Sequence, residues 1–366
     1  MAAYIILILL CVFADFICRT RPGSFEAKTL VAVIASYIAI ITGLRYQVGG
    51  DYMHYIEVYD FINSPYIDRT YEEIGYRILT KTVHAFGWGP RSIFIISGIM
   101  MGVALFVFTR NVVNKQYWGF FLFLFVCGGS FFSSLNLMRQ YMALSCCLVA
   151  YVLWRKSRWS WAAVLFMLGL SFHRSLLIVL LLFPLRYCLR RNRSLTIIAV
   201  YLISFAVFVF GMDSIIGVIG RIVPSWGGYA NIDTTASRNA VAILKAVVPN
   251  VLIFYGLSKR RTLLRDPELL PATASGSQER SLVISGTLTF AAMSFCFAGI
   301  MILTRIAEFF APFYFVYLCR LVEVENRDMK LLLSYSIYIY YLVLTVVTIF
   351  MMNGNFVMPY QMSWSV

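Results

Sequence analysis

Runs of apolar residues recur along this chain at bilayer length, and a bilayer interior admits only backbones that satisfy their own hydrogen bonds. They fall at about 3–18, 29–44, 92–109, 117–134, 137–154, 159–172, 174–189, 195–212, 240–257, 282–303, 309–322 and 331–350. Their composition is helical and lacks the alternation of barrel strands, so about twelve transmembrane helices are expected. With 366 residues, 60% hydrophobic and only 13% charged, the chain has too few charges to surface a soluble domain of that size. The expected fold is therefore an all-α polytopic integral membrane protein, a single transmembrane domain over 1–366. The first run, starting at MAAYIILILL, has no basic leader and no small-residue cleavage site, so it reads as a mature helix.

Charge sets the orientation. Most of the 31 Lys and Arg lie in alternate loops, around 19–28, 110–115, 155–158, 186–193, 259–280 and 320–330. Positive-inside bias makes these loops cytoplasmic and puts both termini outside. The net charge of +14 is dispersed among apolar spans, so it argues for membrane orientation and against a nucleic-acid partner. The stretch RDPELLPATASGSQER, within a cytoplasmic linker of about 258–281, reads as flexible. The chain's 8 cysteines lie in or beside apolar runs with no CxxC pair, as buried thiols do. His54, His84 and His173 form no metal motif, and there is no phosphate loop or dinucleotide fingerprint. No cofactor is expected.

The longest polar island, RYQVGGDYMHYIEVYDFINSPYIDRTYEEIGYRILTKTVHAF, opens a large outward-facing loop of about 45–91. Ile74, Ile78, Val83 and Phe86 recur there near helical spacing opposite Glu72, Glu73, Arg77 and Lys81, which predicts an amphipathic helix on the membrane surface. Arg45, Arg139, Arg174 and Arg305 each stand at the outer end of an expected span, on the side poorest in basic residues. Guanidinium forks hold phosphate bidentately, so the set suits an anionic substrate; singly, each is also an ordinary interface anchor. Lys245 lies inside its span, where an ammonium needs a partner or a polar cavity.

Asp51 follows Gly49 and Gly50, which lets the backbone turn sharply toward a ligand, although Gly-Gly-Asp is equally a plain turn. Glu73 precedes Arg77 by four residues and reads first as a surface ion pair with it. His173 and Arg174 sit in GLSFHRS, where two short spans meet with hardly any loop, and so border a cavity. His173 is either a hydrogen-bonded structural residue or a functional one. The loop's tyrosines, Tyr52 among them, suit sugar stacking and an interfacial belt alike.

LRYQVGGDYMHY resembles the LR...vGtDy..Y signature of the EpsG-like and Wzy-type bacterial polysaccharide repeat-unit polymerases. EEIGYRIL, NLMRQYMALS, FHRSLLI, ILTRIAEFFAP and MPY follow in the order those families show. Gly50 stands where Thr is common. The resemblance implies an inner-membrane enzyme whose active face is periplasmic and which polymerises undecaprenyl-pyrophosphate-linked oligosaccharide into O-antigen or exopolysaccharide. It implies lipid-linked oligosaccharide and membrane lipid as partners, with a chain-length regulator protein. It tips Asp51 toward function. On this reading Arg45, Arg139, Arg174 and Arg305 hold the pyrophosphate, with Glu73 and Tyr52 also at the substrate. His173 is the favoured base and Asp51 binds acceptor hydroxyls. The competing class is a transporter or flippase for lipid-linked or other anionic solutes, but the polar residues cluster at the outer ends of the spans and leave the inner halves bland apart from Asp15. An acyltransferase would want a His near the cytoplasmic face, and none lies there.

Overall fold

The computed structural model describes residues 1–64, 73–211, 240–258, 276–298 and 301–362. Among them the secondary structure is helical apart from an isolated antiparallel bridge between Arg45 and Met362. Among the described residues five helices are long and apolar enough to cross a membrane: Ala2–Thr20, Phe25–Gly43, Arg91–Val112, Ala240–Leu257 and Arg327–Met351. Trp159–Phe172, Arg193–Val209 and Leu282–Cys296 are shorter apolar helices. The protein is an all-α membrane protein.

By contact the chain forms two compact units, Met1–Leu177 with Asn326–Val366, and Ile178–Glu325. The first unit opens with α1 (Ala2–Thr20), α2 (Phe25–Gly43), α3 (Tyr52–Asp60), α4 (Ile74–Ala85) and α5 (Arg91–Val112). It continues with α6 (Trp118–Cys127), α7 (Ser130–Ser134), α8 (Met138–Arg155) and α9 (Trp159–Phe172). In the second unit the described helices are α10 (Leu182–Arg191), α11 (Arg193–Ala206), α12 (Ala240–Ser258), α13 (Gly276–Cys296), α14 (Met301–Ala307) and α15 (Ala311–Glu323). The chain then returns to the first unit as α16 (Arg327–Thr345).

In the first unit, α2 and α5 meet through small residues. A Cβ on Gly98 would stand 2.5 Å from the Ala39 carbonyl oxygen, and one on Gly102 would stand 2.6 Å from that of Ala35. The GxxxG spacing on α5 thus lets two backbones approach as lipid-embedded helices require. α6 is apolar all round and every one of its residues is buried, so it forms the centre of the unit. The apolar run expected to cross at 117–134 does not continue as one helix: α6 stops at Cys127, Gly129 turns with φ +96°, and α7 is a single short turn. Glycine is neutral in hydropathy, so the run looked unbroken. The consequence is a loop at 135–137 that carries Asn136 into the start of α8.

Chain ends close the unit. Tyr4 donates to the Val357 carbonyl at 3.0 Å and Tyr360 to that of Ile41 at 2.9 Å. The start of α1, the end of α2 and the C-terminal segment therefore share one end of the bundle, that of the large loop. At the other end Asp15 pairs with Arg19 at 2.8 Å and accepts from the Tyr338 hydroxyl at 2.8 Å, joining α1 to α16. Charged groups in an apolar bundle face one another in this way.

The second unit is held by similar internal polar contacts. Tyr201 of α11 donates to Asn250 Oδ1 of α12 at 2.7 Å, and Asn250 Nδ2 donates to the Ala291 carbonyl of α13 at 3.1 Å. Tyr66, Tyr71, Glu72 and the linker residues 259–275 lie outside the described residues.

Candidate functional site

The large loop carries α4, an amphipathic helix that turns Tyr76, Thr80 and Val83 into the protein and leaves Ile74 and Ile78 exposed. Val83 thus faces the protein and not the exposed stripe that Ile74, Ile78 and Phe86 share. The start of α4 lies hard against the last turn of α9. A Cβ on Gly75 would stand 2.2 Å from Ser171 Oγ, so glycine is what lets the two backbones close. That approach delivers Glu73, the extended residue before α4, to His173, the extended residue after α9.

Glu73 Oε1 lies 2.8 Å from His173 Nδ1, and Glu73 Oε2 accepts from Arg139 Nη1 at 2.8 Å. The side chains are 12%, 25% and 21% exposed respectively. The expected surface pair of Glu73 with Arg77 is therefore corrected. The carboxylate is turned inward, where two stronger partners converge; Arg77 meets Glu73 only through its backbone N–H. Burial pushes the Glu73 carboxyl up, but the His173 hydrogen bond and the Arg139 charge outweigh it and hold the group below its ordinary value. It is a carboxylate at neutral pH.

Arg139 lies in the first turn of α8, its guanidinium 5.6 Å from the centre of the Tyr76 ring. Tyr55 of α3 donates to the Asn136 carbonyl at 3.3 Å, and its hydroxyl is also hydrogen-bonded to Arg139. Burial raises the Tyr55 phenol, so it stays protonated.

A second group is built on Asn136, the residue whose carbonyl Tyr55 meets. Gly49 has φ +100°, and a Cβ there would be 2.2 Å from the Leu135 carbonyl oxygen, so the loop can lie on residues 135–136 only with glycine at 49. The Asp51 N–H then donates to Asn136 Oδ1 at 2.8 Å. Gly49 and Gly50 donate their N–H groups to the carbonyls of Phe356 at 3.0 Å and Asn355 at 3.2 Å. The turn is thus clamped from both sides. Asp51 opens α3 without using its carboxylate as a helix cap, and the residue is half-buried.

Arg45 and Tyr52 pack with Tyr55 against one ring, Phe94. Arg45 is fully buried, with Nη1 3.5 Å from the Thr42 carbonyl and the guanidinium 4.7 Å from the Phe94 ring centre. Burial pulls it down to about 10, so it remains cationic at neutral pH. Tyr52 is 5% exposed and stacks on the same Phe94 with centroids 4.9 Å apart, so its ring packs the interior beside Arg45. Arg174 begins the 3-10 stretch Arg174–Leu181 and is exposed. Arg305 lies in the last turn of α14, in the second unit. Lys245 lies on α12 of that unit. Sequence reasoning passed over Asn136 and counted Tyr55 only among the loop's tyrosines. The signal was present in NLMRQ, which places Asn136 one turn before Arg139, but an amide at the edge of an apolar run reads as an ordinary span end. Among the described residues no group of His, Cys, Asp and Glu is arranged to hold a metal ion.

The EpsG family model matches residues 28–362, taking in Asp51, Glu73, Asn136, Arg139, His173 and Arg305. The chain belongs to the EpsG family. No curated protein and no solved structure matches it. As an EpsG-family chain it is a membrane protein of polysaccharide biosynthesis, and both polar groups lie within the matched span.

Proposed function

We propose that this protein is a polysaccharide polymerase that joins repeat units carried on undecaprenyl pyrophosphate, working on the periplasmic face of the inner membrane through about twelve spans. The observation that carries the reading is the bridging of His173 and Arg139 by one inward-turned carboxylate, Glu73. A neutral imidazole that donates Nδ1–H to Glu73 presents Nε2 as the proton acceptor, and the carboxylate stabilises the imidazolium that forms. Beside it Arg139 supplies a fixed positive charge where negative charge grows on a departing pyrophosphate.

The reaction follows. A hydroxyl of the acceptor sugar attacks the anomeric carbon of the donor glycan, its proton passes to His173 Nε2, and the bond from the anomeric carbon to the pyrophosphate oxygen breaks. Undecaprenyl pyrophosphate leaves with the bonding electron pair. Asp51, on its clamped turn, accepts hydrogen bonds from acceptor hydroxyls. Arg174, next to His173 in the chain, joins Arg139 as a phosphate ligand, and Arg305 is a further candidate for that role, while buried Arg45 and Tyr52 pack with Tyr55 on Phe94.

The test is the glycan ladder on cells lacking the gene, complemented by variants. Loss of the gene leaves a single repeat unit if the protein is a polymerase and none if it is a flippase. Arg139→Ala abolishes polymer while the protein still inserts, and Arg139→Lys restores little, because an ammonium cannot reproduce the fork on a phosphate. Full ladders from the Lys variant would reduce Arg139 to an interface anchor.

A further inference from the structure

The C-terminal segment after α16 does more than close the bundle. Asn353, Asn355 and Phe356 all have positive φ, at 50°, 63° and 54°. For a bulky aromatic residue the left-handed region is disfavoured, and such a conformation persists only where its surroundings enforce it. Here they do. Asn353 and Met358 exchange hydrogen bonds at 2.9 and 2.8 Å, and the Phe356 carbonyl is held by the Gly49 N–H at 3.0 Å.

This fixed backbone holds out a ring that is 70% exposed. The ring lies on Gly50: a Cβ there would stand 3.2 Å from Phe356 Cδ2 and 3.3 Å from Asn136 Oδ1. Gly50 is followed directly by Asp51, whose N–H is on Asn136 Oδ1. Polar groups stand near it: Asn353 and Asn355 in the same segment, and Asn136 Oδ1 at the same Gly50. An exposed aromatic face lying on Gly50, the residue before Asp51, offers a pyranose an apolar surface for its C–H face, with a carboxylate borne by the next residue as an acceptor for its hydroxyls.

We infer that Phe356 is the stacking platform of an acceptor-sugar subsite, set beside Asp51 by the C-terminal segment. The inference rests on the polymerase reading and adds to it a position for one sugar ring. An interface anchor would need only an apolar side chain at 356, whereas a platform needs a flat one.

The experiment measures chain extension by the full-length protein in lipid nanodiscs, with acceptor and donor repeat units varied separately. Phe356→Leu keeps apolar bulk and removes the flat face. It should raise the acceptor concentration for half-maximal rate about three- to tenfold and leave the donor requirement unchanged. Phe356→Tyr should stay near the native value. Gly50→Ala, which presses a methyl on the ring and on Asn136, should act like the Leu variant. Saturation-transfer NMR with the free repeat-unit oligosaccharide supplies a readout independent of turnover, with transfer to the sugar in the native protein and its loss in Phe356→Leu. If native protein extends no chains, the polymerase reading fails, and the NMR comparison alone decides the subsite. If Phe356→Leu matches the native protein in acceptor dependence, or in sugar transfer, the ring is an anchor and the inference is overturned.

Discussion

Glu73 Oε1 and His173 Nδ1 meet at 2.8 Å across 100 residues of chain. The carboxylate's other oxygen is held by Arg139, so one acidic side chain fixes both the imidazole and the guanidinium of the cluster. A group placed this way orients a base and restrains a cation at the same time. Its removal should therefore disturb catalysis more than folding.

Glu73→Gln is expected to lower the rate of chain extension about a hundredfold or more, the scale of a lost general-base arrangement, with the protein still inserted. The same carboxylate gives a pH signature. Its value in the folded protein is below its ordinary 4.5. The stability it contributes is thus complete above that ordinary value and is lost as pH falls through the lower folded value. Thermal denaturation in detergent should show the full, unchanging contribution of this group between neutrality and mild acid, and its loss as pH falls below the ordinary carboxylate value. The difference between native protein and Glu73→Gln isolates it. An acid limb identical in both would show that the pair contributes nothing.

Gly49→Ala should unfold the Asp51 turn. The added methyl meets the Leu135 carbonyl oxygen at 2.2 Å on a backbone with φ +100°, and a residue forced into that region costs about 1–3 kcal/mol before the clash is counted. Gly50→Ala meets only the Phe356 ring and the Asn136 amide at 3.2 and 3.3 Å, so it should lower the denaturation midpoint less. Equal midpoints for the two variants would contradict the clamped turn.

What could be read from the sequence was whatever depends on neighbours in the chain. Apolar runs of bilayer length declare membrane helices because lipid leaves the backbone no alternative. Arg139 and His173 stood out as polar residues at the ends of such runs. Their pairing with Glu73 did not, because they lie 66 and 100 residues from it and its local neighbour Arg77 offered a ready i,i+4 partner. Nor could hydropathy reveal the break after Cys127. A Gly-Gly pair inside an apolar run changes the mean little, yet it ends α6 and creates the loop from which Asn136 holds Asp51.

Orientation is tested by reporter fusions. A phosphatase fused after Val366 or within residues 60–68 should be active, and one fused after Arg193 or Arg265 should be silent, because basic loops stay cytoplasmic. Activity after Arg265 would reverse the side on which the Glu73 cluster works.

The last prediction separates the base from the acceptor ligand. His173 is held by Glu73 and the Asp51 N–H by Asn136, and each side chain could take a proton from a sugar hydroxyl. The imidazole is the better placed, because its Nδ1 is already engaged by Glu73, which orients Nε2 as a proton acceptor. Asp51 has a carboxylate that caps no helix, on a turn held by Asn136 and the C-terminal segment, which suits binding better than proton transfer. His173→Gln should therefore keep donor binding and lose turnover across the pH range. Asp51→Asn should chiefly raise the acceptor concentration required. The measurement is in-vitro extension with lipid-linked repeat units, followed from pH 5.5 to 8.5. If His173→Gln extends chains normally while Asp51→Asn is inert with both substrates bound, the carboxylate is the base and the imidazole only positions sugar.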